Sequence, residues 1–315
     1  MSHLFGPVPS RRLGRSLGVD LIPRKTCPYN CIYCEVGPTT RPTLQRFSYE
    51  AQAIIRELAE FLAGAQGEPD FITLAGSGEP TLSLDLGRII EKIKSLTATP
   101  VAVLTNGALL YLPEVRRELA AADVVLPSLD AAREETFQAI NRPLPGFTLS
   151  RLLAGLAAFR REYHGQIWLE ILLLKGVNDS AEELTALRRV LEDLAPAKVQ
   201  LNTSVRPVVE DWARALTREE MEAAAAFLGP EVEVIASFNG CALPSSAPGD
   251  ADLVEMLSRR PMTAADLAEV LGLPVPQVRE RLRRLCKSGR LSFSLYHDRK
   301  FYCKNSPAAG HTRQP

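Results

Sequence analysis

The chain has 315 residues, with 37 Lys and Arg against 37 Asp and Glu, and 46% of its residues are hydrophobic. That length allows one large domain and a smaller one, and the balanced, interspersed charge excludes a disordered chain or one that is basic throughout for binding polyanions. No stretch joins a basic region to a long apolar run, and none is apolar for long enough to span a bilayer, so the sequence predicts a cytoplasmic protein whose thiols stay reduced.

In chain order, residues 17–22 read as the first strand, a short apolar run with β-branched residues. Directly after it, Thr26-Cys-Pro-Tyr-Asn-Cys-Ile-Tyr-Cys34 places three of the six cysteines close together. Residues 49–62 then carry apolar side chains at three- and four-residue intervals, the period of a helix. Further strands are predicted over 70–75, 101–104, 124–126, 167–174, 198–201 and 232–235, with helices over 86–96, 149–163 and 181–194 between them. This alternation predicts the α/β class, a parallel sheet curved into a partial (β/α)6-type TIM-like barrel across residues 1–243. Sites in such folds gather at the carboxyl ends of strands. There the sequence has Gly76-Ser-Gly-Glu-Pro-Thr81, Thr105-Asn-Gly107 and Ser128-Leu-Asp130.

Residues 244–250, opening Pro-Ser-Ser-Ala-Pro-Gly, exchange periodic residues for turn formers and read as a linker. A small domain over 251–304 follows: a first helix over 252–259, a second from Thr263 as N-cap to Leu271 with Gly272 as its stop, and a third over 275–287. Residues 291–302 then alternate as a hairpin that turns near His297-Asp298. Helix, helix-turn-helix and hairpin is the order of a winged helix. The tail over 305–315 reads as frayed.

Cys27, Cys31 and Cys34 stand at C-x3-C-x2-C spacing, and thiolates in such groups hold iron–sulfur clusters, usually four per cluster. Three with no fourth nearby predict a cubane with one iron open to another ligand. A structural zinc site would need a second knuckle, and neither the separated Cys241, Cys286 and Cys303 nor the four histidines supply one. Those three cysteines read as core or surface thiols.

Taken with the βα order, these motifs resemble the radical S-adenosylmethionine (radical SAM) superfamily over roughly residues 10 to 240. The resemblance implies that Cys27, Cys31 and Cys34 bind three irons of a 4Fe–4S cluster and that S-adenosylmethionine chelates the fourth. Tyr33 would then lie near the adenine, and Gly76, Gly78 and Glu79 would receive the methionyl amino group, glycines allowing close approach and the carboxylate accepting charge-assisted hydrogen bonds. Asn106, Ser128 and Asp130 are the remaining candidates for cofactor contact; as strand-end residues, Ser128 and Asp130 read equally as helix caps. Asn141-Arg142-Pro143, Glu170 and Lys175-Gly-Val-Asn-Asp179 also resemble elements of the superfamily. The implied activity is reductive cleavage of S-adenosylmethionine to a 5′-deoxyadenosyl radical that abstracts hydrogen, with a flavodoxin or ferredoxin as electron donor.

Phe5-Gly-Pro-Val-Pro-Ser-Arg-Arg-Leu-Gly14 and Lys25 to Cys34 are most similar to the branch related to tRNA wyosine-base synthesis, which would make an RNA base the substrate. The wyosine synthases carry cysteines for a second cluster ahead of the triad, and this chain has none before Cys27. Residues 251–304 hold eleven Lys or Arg against six Asp or Glu, with Arg279, Arg281, Arg283, Arg284, Lys287 and Arg290 on or just after the third helix, a pattern suited to tRNA or DNA backbone. Two other readings stand beside the RNA one: a cluster-containing, cofactor-sensing transcriptional regulator acting through the winged helix, and a radical SAM enzyme acting on a protein or small molecule.

Overall fold

A computed structural model describes residues 3–10, 12–64, 69–236, 249–259, 261–271, 273–296 and 299–305. The chain forms two compact units, residues 1–237 and 238–315. Residues 244–248 of the linker expected over 244–250, Cys241, the Gly272 stop, the His297-Asp298 turn and the tail beyond Asn305 lie outside the described residues, and Asp250 already belongs to a helix.

The first unit is built on one eight-stranded sheet. β1 (Leu4–Ser10) and β2 (Gly14–Val19) form an antiparallel hairpin, and β3 (Thr26–Cys27) pairs with β4 (Arg41–Pro42) apart from the sheet. β5 (Phe71–Leu74), β6 (Val101–Thr105), β7 (Val124–Pro127), β8 (Gln166–Leu173), β9 (Lys198–Thr203) and β10 (Val232–Val234) then extend it in parallel from β2, in the order β1-β2-β5-β6-β7-β8-β9-β10. Parallel neighbours demand crossovers. These contain α1 (Ala51–Gly64), α2 (Leu86–Leu96), α3 (Pro113–Leu119), α4 (Glu134–Asn141), α5 (Leu149–Glu162), α6 (Ala181–Leu194) and α7 (Arg218–Leu228).

Two differences from expectation have local causes. The first strand is Gly14–Val19 rather than 17–22, because the β1 partner extends pairing back to Gly14, while Asp20 turns away to accept from Ser77 N at 2.9 Å and Ser77 Oγ at 2.7 Å. β1 itself escapes prediction because Pro7 and Pro9 cannot donate to a ladder, which an edge strand tolerates.

The helices bury one face each. Along α2 that face is Leu86, Ile89, Ile90 and Ile93, and along α6 it is Leu187, Leu191 and Leu194, the i, i+3, i+4 stripe of an amphipathic helix. Hydroxyl caps start three of them: Thr148 accepts from Arg151 N, Ser180 from Glu183 N, and Thr217 completes a capping box with Glu220. On the concave side, Leu13 from the β1–β2 turn packs with Ala102, Val124 and Leu126 against Phe71, Leu104 and Trp168. Glu79, Asn106, Ser128 and Asp130 lie past the carboxyl ends of the strands they follow.

In the second unit α8 (Asp250–Arg259), β11 (Met262–Thr263), α9 (Ala264–Leu271), α10 (Val275–Lys287), β12 (Leu291–Tyr296) and β13 (Arg299–Lys304) follow in order, with a sheet ordered β11-β13-β12. Leu253, Leu257, Leu267, Val278, Leu282, Leu285 and Phe301 form its core. Thr263 caps α9 as its sequence predicts, accepting from Asp266 N at 3.1 Å. Of the basic residues on and after α10, Arg281 and Arg284 are engaged by Asp250 at 2.9 and 2.8 Å, while Arg279, Arg283, Lys287 and Arg290 are exposed.

Candidate functional site

Between β2 and α1 the chain makes a long excursion that carries all three cysteines of the triad. It is laced to the turn after β5. Lys25 N donates to Ser77 O at 2.6 Å, Glu79 N to Thr26 O at 3.1 Å, Phe47 N to Leu82 O at 2.9 Å and Leu84 N to Phe47 O at 3.0 Å. Arg46 adds bonds to Thr81 O and Ser83 O at 3.0 and 2.5 Å and an ion pair with Glu118. The approach is so close that a Cβ on Gly78 would lie 2.6 Å from Thr26 O, and one on Gly76, at φ +141°, would lie 2.6 Å from Asp20 Oδ1. On its other side the excursion is gripped by the end of α4, through Asn30 N to Asn141 O at 3.1 Å, Ile32 N to Ile140 O at 3.0 Å and Leu144 N to Pro28 O at 3.0 Å.

Each sulfur of the triad meets a side-chain N–H donor, each from a different segment, and Cys27 has the Tyr29 backbone N–H as well. Asn106 Nδ2 lies 3.3 Å from Cys27 Sγ, Asn141 Nδ2 3.5 Å from Cys31 Sγ, and Lys25 Nζ 3.0 Å from Cys34 Sγ. Burial pushes the Cys27 thiol far up, helped by the negative charges of Glu79 and Cys31, and pushes Cys31 up to about 12 against the lowering effect of Asn141. Such thiols ionise when a metal takes them as ligands. Among the described residues no three His, Cys, Asp or Glu side chains are grouped to share a single metal ion. A cubane instead asks each thiolate to take a separate iron.

Two carboxylates complete the centre. Glu79 is 3% exposed; its Oε1 accepts from Thr81 N at 3.1 Å, Thr81 Oγ1 at 2.6 Å and Thr105 Oγ1 at 2.6 Å, whereas Oε2 accepts from Asn106 N at 2.8 Å. Oε1 is saturated by the protein, so Oε2 is the oxygen with room for another donor. Burial raises the Glu79 carboxyl above its ordinary range, and its hydrogen bonds oppose that. Asp130 accepts from the Tyr33 hydroxyl, from Asn141 Nδ2 at 2.8 Å and from Leu172 N at 2.9 Å. Asn106 therefore joins Cys27 to Glu79, Asn141 joins Cys31 to Asp130, and Asp130 holds Tyr33. Ser128 lies at the end of β7, its N–H donating to Thr105 O at 3.0 Å, and forms an isolated bridge with Glu170.

Desolvation raises Asp130 from 3.8 to about 6. The neutral form is thus favoured in the fold, so the stabilisation is full below about pH 4 and is lost as pH rises through about 6, a swing on the order of 3 kcal/mol. We predict that urea unfolding of wild type and Asp130→Asn will show the stability difference moving against wild type between pH 4 and 6.5; a flat difference across that window rejects the raised carboxyl.

Residues that sequence reasoning passed over lie below this centre. Arg12, from the β1–β2 turn, forms an ion pair with Glu170, which also accepts from Asn202 Nδ2 at 3.0 Å. Gln200, beside Glu170 across the sheet, is buried, and its Oε1 has no partner among the described residues. Only the fold brings Arg12 to β8. In the 175–179 segment the roles are structural: Asn178 accepts from Leu174 N at 2.7 Å and donates to Asp130 O at 2.7 Å, Asp179 takes Gly176 N at 2.8 Å, and Lys175 pairs outward with Glu220 at 2.6 Å. Arg142, at φ +43°, pairs with Glu210.

Comparison with known proteins adds to this geometry. Residues 21–188 match the model of the radical SAM superfamily, and residues 255–291 match one described as winged helix-turn-helix DNA-binding. The chain is 30% identical over 312 residues to a UPF0026 protein of Methanocaldococcus jannaschii, covering 97% of both. It is 40% identical over 295 residues to a protein of Brachyspira hyodysenteriae named GTPase Obg, covering 92% of this chain but 43% of that longer protein. Among solved structures, a radical SAM methyltransferase from Sphaerobacter thermophilus superposes with a TM-score of 0.55 at 20% identity, over 71% of this chain and 67% of the other, a likeness of fold.

Proposed function

Because the chain belongs to the radical SAM superfamily, and is an enzyme whose cofactors are a 4Fe–4S cluster and S-adenosylmethionine, we propose that Cys27, Cys31 and Cys34 hold the cluster and that the enzyme acts on RNA. The carrying observation is the single hydrogen-bonded network that runs from the triad through Asn106 and Asn141 to Glu79, Asp130 and Tyr33. The donor set suits the cluster: three soft thiols on one excursion, with two buried hydroxyls beside them, Thr26 Oγ1 and Tyr29 OH, that have no partner among the described residues.

When bound, the two cofactors supply one-electron reductive cleavage of the sulfonium and hydrogen abstraction from substrate; the electron comes from a donor such as a flavodoxin or ferredoxin. The residues position them. Gly76 and Gly78 let the turn close on Asp20 and Thr26, and Glu79 Oε2 would accept from the methionyl amino group. Tyr33, fixed by Asp130, would lie near the adenine, and Asn106 and Ser128 would contact the cofactor. Glu170 is held by Arg12 and Asn202.

An RNA substrate is supported by the exposed cations Arg279, Arg283, Lys287 and Arg290, which suit phosphate backbone. The branch resemblance to wyosine synthesis points the same way. No membrane-spanning helix occurs among the described residues. The test is anaerobic turnover of reconstituted protein with S-adenosylmethionine and dithionite, with and without bulk tRNA, read as 5′-deoxyadenosine. We expect cleavage that tRNA stimulates several-fold. Equal cleavage without tRNA discards the RNA substrate, and iron-loaded protein that makes no deoxyadenosine favours the regulator.

A further inference from the structure

Lys25 is a buried cation that neither the fold nor the cysteine spacing accounts for. It is 7% exposed, and among the described residues its ammonium has one hydrogen-bond acceptor, Cys34 Sγ at 3.0 Å. No described carboxylate stands within ion-pair distance of it. A buried ammonium without an anion is costly, so an anion belongs at this sulfur. The backbone is committed to the same end. Lys25 has φ +58°, a left-handed conformation rare for a residue with a side chain, and it is held there by its N–H to Ser77 O at 2.6 Å and by Thr40 N and Arg41 N donating to its carbonyl at 3.1 and 3.0 Å. The turn that faces the methionyl end and the excursion that carries the thiols thus aim one ammonium at one sulfur.

We infer that Lys25 sets the reduction potential of the cluster. The inference rests on Cys34 being a cluster ligand. A cluster bound by three thiolates is anionic, and reduction adds one further electron beside the ammonium. A positive charge at hydrogen-bond distance stabilises the reduced form more than the oxidised one and raises the potential. The hydrogen-bond donors at the other two sulfurs are uncharged, the Asn106 amide and Tyr29 N–H at Cys27 and the Asn141 amide and Tyr33 hydroxyl at Cys31, and the neighbours Glu79 and Asp130 are carboxylates that act in the opposite direction. Lys25 is therefore the positive group that offsets them, a positioning residue that acts through Cys34 and does not touch substrate.

The experiment uses the full chain, reconstituted anaerobically, as wild type, Lys25→Met, Lys25→Gln and Lys25→Arg. Each is poised with dithionite and mediators in the absence of S-adenosylmethionine, and the EPR signal of the reduced cluster is read against ambient potential. At a fixed potential the reduced-to-oxidised ratio of Lys25→Met should fall about tenfold, equivalent to about 59 mV for a one-electron couple. Lys25→Gln, which keeps an N–H donor but not the charge, should fall with it, and Lys25→Arg should stay within about threefold of wild type. Iron-loaded Lys25→Met or Lys25→Gln with the wild-type ratio overturns the inference. Loss of iron from both neutral variants makes Lys25 an assembly residue and overturns tuning as well. A wild-type chain that takes up no four-iron cluster sinks the ligand assignment itself, a distinguishable failure.

Discussion

Replacing any one of Cys27, Cys31 or Cys34 with Ala is expected to reduce iron after anaerobic reconstitution from about four per chain to near zero and to abolish 5′-deoxyadenosine formation. In the proposed site each thiol holds one iron, so its loss would expose a second iron rather than weaken a redundant bond. The apo fold should tolerate the change, since the excursion is held by backbone bonds and Arg46 rather than by sulfur. Unfolding midpoints of the apo variants should therefore stay near wild type, while Cys286→Ala, in the second unit, should keep full iron. A Cys31→Ala protein with full iron content and undiminished cleavage would remove the triad from the site.

The second large effect is at Glu79, and there the apo fold itself should suffer. Its carboxylate takes two backbone N–H groups, from Thr81 and Asn106, and two hydroxyls, from Thr81 and Thr105. Glu79→Ala strands them in a buried site at about 1–3 kcal/mol per unsatisfied donor. The hydroxyls can rotate toward other acceptors; the backbone groups cannot. We expect a loss of about 3–5 kcal/mol, a large share of a typical domain's stability, and a smaller loss of about 2 kcal/mol for Glu79→Gln, which keeps one acceptor oxygen. Urea unfolding followed by tryptophan fluorescence measures both. An Ala variant within about 0.5 kcal/mol of wild type would show that these bonds are not made. Cofactor affinity should fall as well, because Asn106, released from Glu79, no longer holds its amide on Cys27.

Much of this site was readable because its chemistry is local. C-x3-C-x2-C is a property of eight consecutive residues, and Glu79, Asn106, Ser128 and Asp130 each follow a strand whose apolar run announces it. Residues 86–96 were readable as a helix because Leu86, Ile89, Ile90 and Ile93 keep strict period. What stayed hidden depends on distance along the chain. Asn141 reaches Cys31 across 110 positions, and Arg12 reaches Glu170 across 158, pairings that only the tertiary fold creates. Lys25 was hidden differently. It adjoins the triad, but nothing in its neighbours shows that its backbone turns left-handed and directs the ammonium back onto Cys34.

The lacing of the cysteine-bearing excursion to the turn after β5 has a dynamic consequence. Thr26, Phe47 and Arg46 bind the Gly78 to Leu84 stretch near both ends of the excursion, so the two segments cannot open separately; release of either costs the bonds of both. They make one cooperative opening unit in the sense of native-state hydrogen exchange. Anything that anchors the thiols therefore slows the breathing of the segment proposed to receive the cofactor's amino group, and oxidative loss of a bound metal would loosen that segment in the same event. Cluster retention and cofactor affinity are two readings of one local equilibrium.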